Sequence, residues 1–182
     1  MNKPFTREIK INRDDVDEEK IAKLLKGIVI CKLSGEYLVD LILDSKIEPR
    51  LLSSFVGALS LFGRENLGKI EEINIKGLAV EMIMITKYDL ILIAIMDKEF
   101  PKEGIREEAE MALDMFYSSF QDEIQGCVEI SQFYDFKNLL YWQIVDYFKK
   151  VENMEEEDEI KDFGFFTEAI KKVREERNGN GK

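Results

Sequence analysis

Two periods of apolar spacing run along this chain, and the switches between them mark out its elements. Gly27–Leu33 ("GIVICKL") is almost continuously apolar, the pattern of a strand covered on both faces. Tyr37–Leu43 ("YLVDLIL") follows after Ser34–Gly35–Glu36, a connection with a glycine available for positive φ, so the two segments read as a hairpin. Spacing then becomes helical. Glu48–Gly68 has Pro49 in its first turn, Gly68 at its end, and Leu52, Phe55, Val56, Leu59 and Phe62 on one stripe. Three strands are predicted next. They are a segment from Lys69 through Ile75, Leu78–Thr86 after a two-residue connection at Lys76–Gly77, and Leu90–Met96 after Lys87–Asp89. The last of these is apolar on both faces and is expected at the centre of the sheet. Two helices follow, Pro101–Gly126 and Ser131–Val151, the second with Ser131 as its cap. The first carries Ile105, Ala109, Ala112, Leu113, Phe116, Tyr117, Phe120 and Ile124 on its apolar face. The second carries Phe133, Phe136, Leu139, Leu140, Ile144, Tyr147 and Phe148. Both aromatic stripes read as core, not as stacking platforms.

The order β-β-α-β-β-β-α-α predicts an α/β (α+β) fold with three layers. A five-stranded, mainly antiparallel sheet has one helix on one face and the last two on the other. The ends read differently. Residues 1–26 form a polar N-terminal extension, in which "DDVDEEKIAKLL" suits a short helix and "EIKI" (Glu8–Ile11) suits an edge strand. Residues 27–151 are the predicted domain. Residues 152–182 begin with an acidic linker, "ENMEEEDE", and continue into a helical tail at 160–177 that carries Phe163, Phe166, Ile170 and Val173.

Charge narrows the functional classes. The 182 residues include 26 Lys+Arg and 37 Asp+Glu, a net charge of −11, and the pI is near 4.7. That balance argues against nonspecific nucleic-acid binding and against adhesion to anionic membranes. The longest apolar run, Leu90–Met96, is strand length, so no membrane span is expected. The N-terminal residues lack the apolar core of a secretion signal. Cys31 and Cys127 stand far apart with no metal-ligand spacing, which predicts a reducing, cytoplasmic setting.

Candidate chemistry is sparse. The sequence has no histidine, which removes the commonest general base and metal ligand. No phosphate-binding glycine pattern occurs; Gly35 stands alone and is followed by a strand instead of a helix N-terminus. "DFG" at Asp162–Gly164 lacks every other kinase element. Glu107, Glu108 and Glu110 belong to a solvated helix face. The chain is therefore expected not to be an enzyme and to need no cofactor or metal.

One helix stands out. With Leu52, Phe55, Val56, Leu59 and Phe62 taken as the buried side of 48–68, the opposite side presents Ser53, Ser54, Gly57, Ser60 and Leu61, flanked by Leu51 and Ala58. A water-facing side should be charged. A small uncharged one lets another backbone approach closely, and Gly57 inside a helix costs about 1 kcal/mol relative to Ala unless packing repays it. The occupant is expected to be a separate protein or a second copy, or else the tail helix 160–177 with Phe163, Phe165 and Phe166; plain serine-rich solvation is the remaining reading. The following strand, through Ile73, is expected at a sheet edge, open to strand addition from a partner.

At this point the chain resembles a family. The element order, the Ser34–Gly35 turn, the "SSFVGAL" helix (Ser53–Leu59) and the Phe133-x-x-Phe136 start of the last predicted helix are similar to longin/Roadblock-type proteins of archaea, over about residues 26–150. The resemblance implies a profilin-like fold and a non-catalytic interaction module. Such a module binds a small Ras-like GTPase or another longin/Roadblock domain, in complexes of vesicle trafficking or GTPase regulation. It implies that Ser53, Ser54, Gly57, Ala58, Leu61 and Ile73 lie on a partner surface. Two departures matter: a segment preceding the first strand is a Roadblock trait, and two final helices are a longin trait. The alternatives are a Roadblock-like homodimeric GTPase regulator and a small-molecule-sensing profilin-like domain. The latter would need a cavity between sheet and helices, with Tyr117, Trp142 and Gln143 as its polar candidates.

Overall fold

The structure, a computed structural model, describes residues 18–126 and 129–153. The predicted edge strand at Glu8–Ile11, the acidic linker from residue 154 onward and the tail helix lie outside the described residues. A short helix α1 (Glu18–Leu24) runs directly into strand β1 (Leu25–Lys32), and β2 (Tyr37–Ile42) follows. Helix α2 (Pro49–Asn66) leads to β3 (Glu72–Lys76), β4 (Val80–Lys87) and β5 (Leu90–Asp97). Helix α3 (Ile105–Gln125) and a 3-10 turn (Ile130–Phe133) precede a last helix, α4, helical over 136–153.

The five strands form one antiparallel sheet in the order β2-β1-β5-β4-β3. The two strands with continuous apolar runs, β1 and β5, lie inside it, as expected of strands covered on both faces. One face packs against α1, α3 and α4 in the larger core, around Ile30, Leu92, Leu113, Phe116, Phe133 and Phe136. The other face packs against α2 in a smaller core of Val29, Cys31, Val56, Met84, Ile91 and Ile93. The three-layer reading therefore holds. Ile21 and Leu24 of α1 sit in the larger core, so the fold begins before Gly27.

Several local expectations need correction. Strand β3 begins at Glu72, and its connection to β4 is Gly77–Leu78–Ala79 instead of Lys76–Gly77; the Gly77 N–H donates to the Val80 carbonyl at 2.8 Å. Helix α3 begins at Ile105, because Gly104 stands at φ 68° and ends the preceding turn in a left-handed conformation. Ser131 lies inside the 3-10 turn and caps no helix. Between β4 and β5, Tyr88 and Asp89 both take positive φ, the mirror-image turn that matches the twist of a two-residue hairpin.

Helix α2 carries the main correction. Its buried residues are Ser53, Val56, Gly57, Ser60 and Gly63, while Phe55 is 52% exposed and Phe62 is 57% exposed. The helix is turned so that most of its small side lies inward. The cause is a backbone contact. Gly35, at φ +88°, brings the β1–β2 turn against the helix at Gly57. A Cβ on Gly57 would meet the Gly35 Cα, the Gly35 nitrogen at 2.6 Å and the Ser34 carbonyl at 2.7 Å. At Gly63 a Cβ would meet the Ile70 side chain. The close approach expected at Gly57 is real, and the backbone that makes it is the chain's own hairpin.

Candidate functional site

Two devices hold α2 at its start. The Glu48 carboxylate accepts a hydrogen bond from the Arg50 N–H at 3.3 Å, and Pro49 occupies the first turn. Ser53 donates to the Pro49 carbonyl at 2.8 Å, and its hydroxyl is also bonded to the Cys31 thiol of β1. With Ser53 and Gly57 fixed inward, the opposite face of α2 carries Leu51, Phe55, Ala58 and Phe62, spaced i, i+4, i+7, i+11 on one stripe, all exposed. Leu61, also exposed, flanks it. The charged residues of α2 are Arg50, Arg64 and Glu65, and Arg50 is partly used over the Tyr37 ring, 5.7 Å from its centroid.

The sheet continues the apolar surface. Register pairs Ile73 with Met84 and Ile75 with Met82, so these side chains share the α2 face of the sheet. Ile73 and Leu52 both pack against the smaller core, while Ile75 and Val80 are exposed. On the opposite face Glu72 accepts from Arg106 of α3 at 2.8 Å, and Arg106 also bonds Glu110 at 3.0 Å. Its hydrogen bond to Glu110 holds the guanidinium pKa above its ordinary value. Glu81 pairs with Lys102, and this contact lowers its carboxyl pKa.

The six residues singled out from the sequence divide. Ser54, Ala58 and Leu61 are exposed and, with Leu33, Ser34, Gly35 and Arg64, line a cleft of about 480 Å³ beside the hairpin turn. Ile73 is half-buried on the same face of the sheet. Ser53 and Gly57 are buried against the molecule's own β1–β2 hairpin, and Gly57 also lines the cleft beside it. Sequence reasoning passed over Phe55 and Phe62 by assigning them to the core. The signal that distinguishes the two sides is the set Ser53, Gly57, Ser60 and Gly63, which lets the helix lie close to a sheet and a turn.

The small-molecule alternative has little room. Between the sheet and α3/α4 lies an apolar cavity of about 50 Å³, against roughly 300–1,000 Å³ for typical ligand pockets. Of the three polar candidates only Gln143 lines it, and its amide already donates to the Glu108 carbonyl at 2.7 Å and carboxylate at 3.1 Å. Tyr117 stacks on Tyr88, and Trp142 is exposed. Among the described residues, no group of three or more His, Cys, Asp or Glu side chains could hold a metal ion, and no helix is long and apolar enough to cross a membrane.

No family model matches the sequence, and no curated protein does. Solved structures of similar chain path exist. A Roadblock/LC7 domain from Streptomyces avermitilis is 13% identical, with 57% of this chain and 88% of that chain covered and a TM-score of 0.45. MglB of Myxococcus xanthus is 16% identical, with the same coverages and a TM-score of 0.48. The gliding protein MglB from Thermus thermophilus is 12% identical, with 52% and 76% covered and a TM-score of 0.40.

Proposed function

We propose that this chain is a non-catalytic protein-interaction module of longin/Roadblock type. Its partner is a small Ras-like GTPase or another longin/Roadblock domain, in a GTPase-regulating or trafficking complex. The observation that carries this reading is the apolar outer stripe of α2, Leu51, Phe55, Ala58 and Phe62, next to the exposed Ile75 and Val80 of the sheet. Exposed large apolar side chains on one helix face are what a partner buries. Full burial of a Leu or Phe side chain contributes about 1.5–3 kcal/mol. These side chains are already partly covered, so each adds roughly half of that on docking. The GTPase and the pathway come from the family resemblance alone. Ser54, Leu61 and Ile73 remain in the proposed surface, at its margin, with Gly57 lining the adjoining cleft; the Ser53 side chain is turned inward.

The test is a pair of substitutions, Phe55→Glu and Phe62→Glu, with folding checked by circular dichroism. Both side chains face outward, so the fold is expected to survive. Self-association is read by light scattering and GTPase binding by calorimetry. Loss of either by at least tenfold supports the surface. If both variants fold and associate and bind as the unaltered chain does, α2 is not the partner face.

A further inference from the structure

Helix α4 has an outer side that does not suit water. Its inner side, with Phe136, Leu140, Ile144, Tyr147 and Phe148, belongs to the larger core. Opposite lie Asp135, Leu139, Trp142, Asp146, Lys149 and Asn153, spaced i, i+4, i+7, i+11, i+14, i+18 on one stripe. Leu139 is 51% exposed, and Trp142, the only tryptophan of the chain, is 40% exposed. A solvated helix side is normally polar throughout. Here an acid stands at the start, Lys149 and Lys150 stand near the end, and the stretch between them is apolar at Leu139 and Trp142. Asp146 lies one turn before Lys150 and attracts it, and Lys150 bonds Glu108 of α3 at 2.7 Å. The chain continues from this helix at residue 154. There Phe163, Phe166, Ile170 and Val173 fall at i, i+3, i+7 and i+10, the seam spacing of a helix that packs on another. Glu159 and Asp162 flank the start of that seam, and Arg174 and Arg177 its end.

We propose that residues 160–177 fold back as a helix along the outer stripe of α4, antiparallel to it. Both stripes run from acid to base, so only the antiparallel arrangement sets opposite charges together at both ends. With Ile170 beside Trp142, Val173 reaches Leu139, Arg177 reaches Asp135, and Asp162 comes to Lys149 and Lys150. Residues 154–158 are then the connection, within the roughly 2–8 residues common between helices of a bundle. A parallel arrangement sets acid on acid and base on base, and needs the chain to travel the length of α4 first. The apolar stripe of α2 is a poorer seat for this tail. It lies across the sheet from α4, so the chain would first have to round the sheet's edge. The one acid within α2, Glu65, stands beside Arg64, which leaves little for Arg174 and Arg177 to meet. The tail therefore covers α4 and leaves the outer face of α2 open, and this holds whether or not α2 binds a partner.

Trp142 is the reporter. In the full chain, Phe166→Asp combined with Ile170→Asp removes the seam and touches nothing in the two cores, so the fold is expected to survive, as circular dichroism will check. A docked tail hides at least half of the 40% exposure of Trp142, so its release is expected to shift the emission to the red and to raise acrylamide quenching about twofold. The register is read in a Cys127→Ser background, where Cys31 is buried and stays out of reach. Leu139→Cys with Val173→Cys is expected to form a disulfide within one chain on mild oxidation, seen by mass and gel mobility in dilute solution. Leu51→Cys with Val173→Cys, which tests α2, is expected to form none. Unchanged emission and quenching in the folded double variant overturn the proposal. So does a disulfide that forms with Leu51→Cys and not with Leu139→Cys, and so does one that joins two chains, since a second copy then supplies the tail.

Discussion

Gly57→Ala separates the two orientations of α2 by the sign of a stability change. On an outward, solvated face, replacing a helical glycine by alanine stabilises by about 1 kcal/mol. Against the hairpin the new methyl lies 2.6 Å from the Gly35 nitrogen and 2.7 Å from the Ser34 carbonyl, where ordinary contact is 3.4–4 Å. Both obstacles are backbone, held by the Gly35 N–H bond to the Lys32 carbonyl at 2.8 Å, so neither can swing aside as a flexible side chain does. The turn or the helix must retreat by most of an ångström. Overpacking of this kind costs about 1–3 kcal/mol, and a backbone-to-backbone clash belongs at the upper end, near 3 kcal/mol. Subtracting the propensity gain leaves a net loss of about 2 kcal/mol. For a chain of this size that lowers the melting temperature by roughly 4–8 °C. Thermal and urea unfolding of the two proteins reads it directly. A Gly57→Ala chain that melts at the same temperature or higher would refute the inward placement, and with it the assignment of Phe55 and Phe62 to the surface.

Two further outcomes follow from the interior. Burial pushes the Cys31 thiol up to about 12, its bond to Ser53 pulling weakly the other way. In a Cys127→Ser background Cys31 is therefore expected to resist iodoacetamide at pH 8 while folded and to react once unfolded; rapid labelling of the folded chain would contradict the burial. The Glu81 carboxyl is held below its ordinary value by Lys102. A group whose folded pKa is lowered contributes stability above its unfolded pKa, about 4.3 for Glu, and loses it as pH falls through the folded value. The unaltered chain should exceed Glu81→Gln in stability at pH 7, with the difference shrinking below pH about 4.3. A difference that stays constant with pH removes the ion pair as its cause.

Strand identity was readable because it rests on local alternation. Leu90–Asp97 is apolar on both faces and does occupy the centre of the sheet. Cores and layers followed from counting apolar faces. The boundaries that moved depend on single backbone conformations. Gly104 at φ 68° delays α3, and the hydrogen bond between Gly77 and Val80 widens the β3–β4 turn. The rotation of α2 was unreadable for a different reason. Two apolar stripes, one through Leu52 and Val56 and one through Leu51 and Phe55, share the same helix about 100° apart. What chooses between them is the Gly35 turn, 22 positions away in sequence and in van der Waals contact in space. Side-chain size misleads there, because the larger residues face out once the backbone itself occupies the inner side.

That seat has a consequence for how this molecule can change. The azimuth of α2 is set by main-chain atoms of Gly35 and Gly57 and by the Ser53–Cys31 bond, none of which depends on what Leu51, Phe55, Ala58 or Phe62 happen to be. Folding contacts and the proposed partner surface lie on opposite sides of one cylinder. The outer alphabet can be rewritten, to loosen one association or to favour another, without turning the helix that displays it.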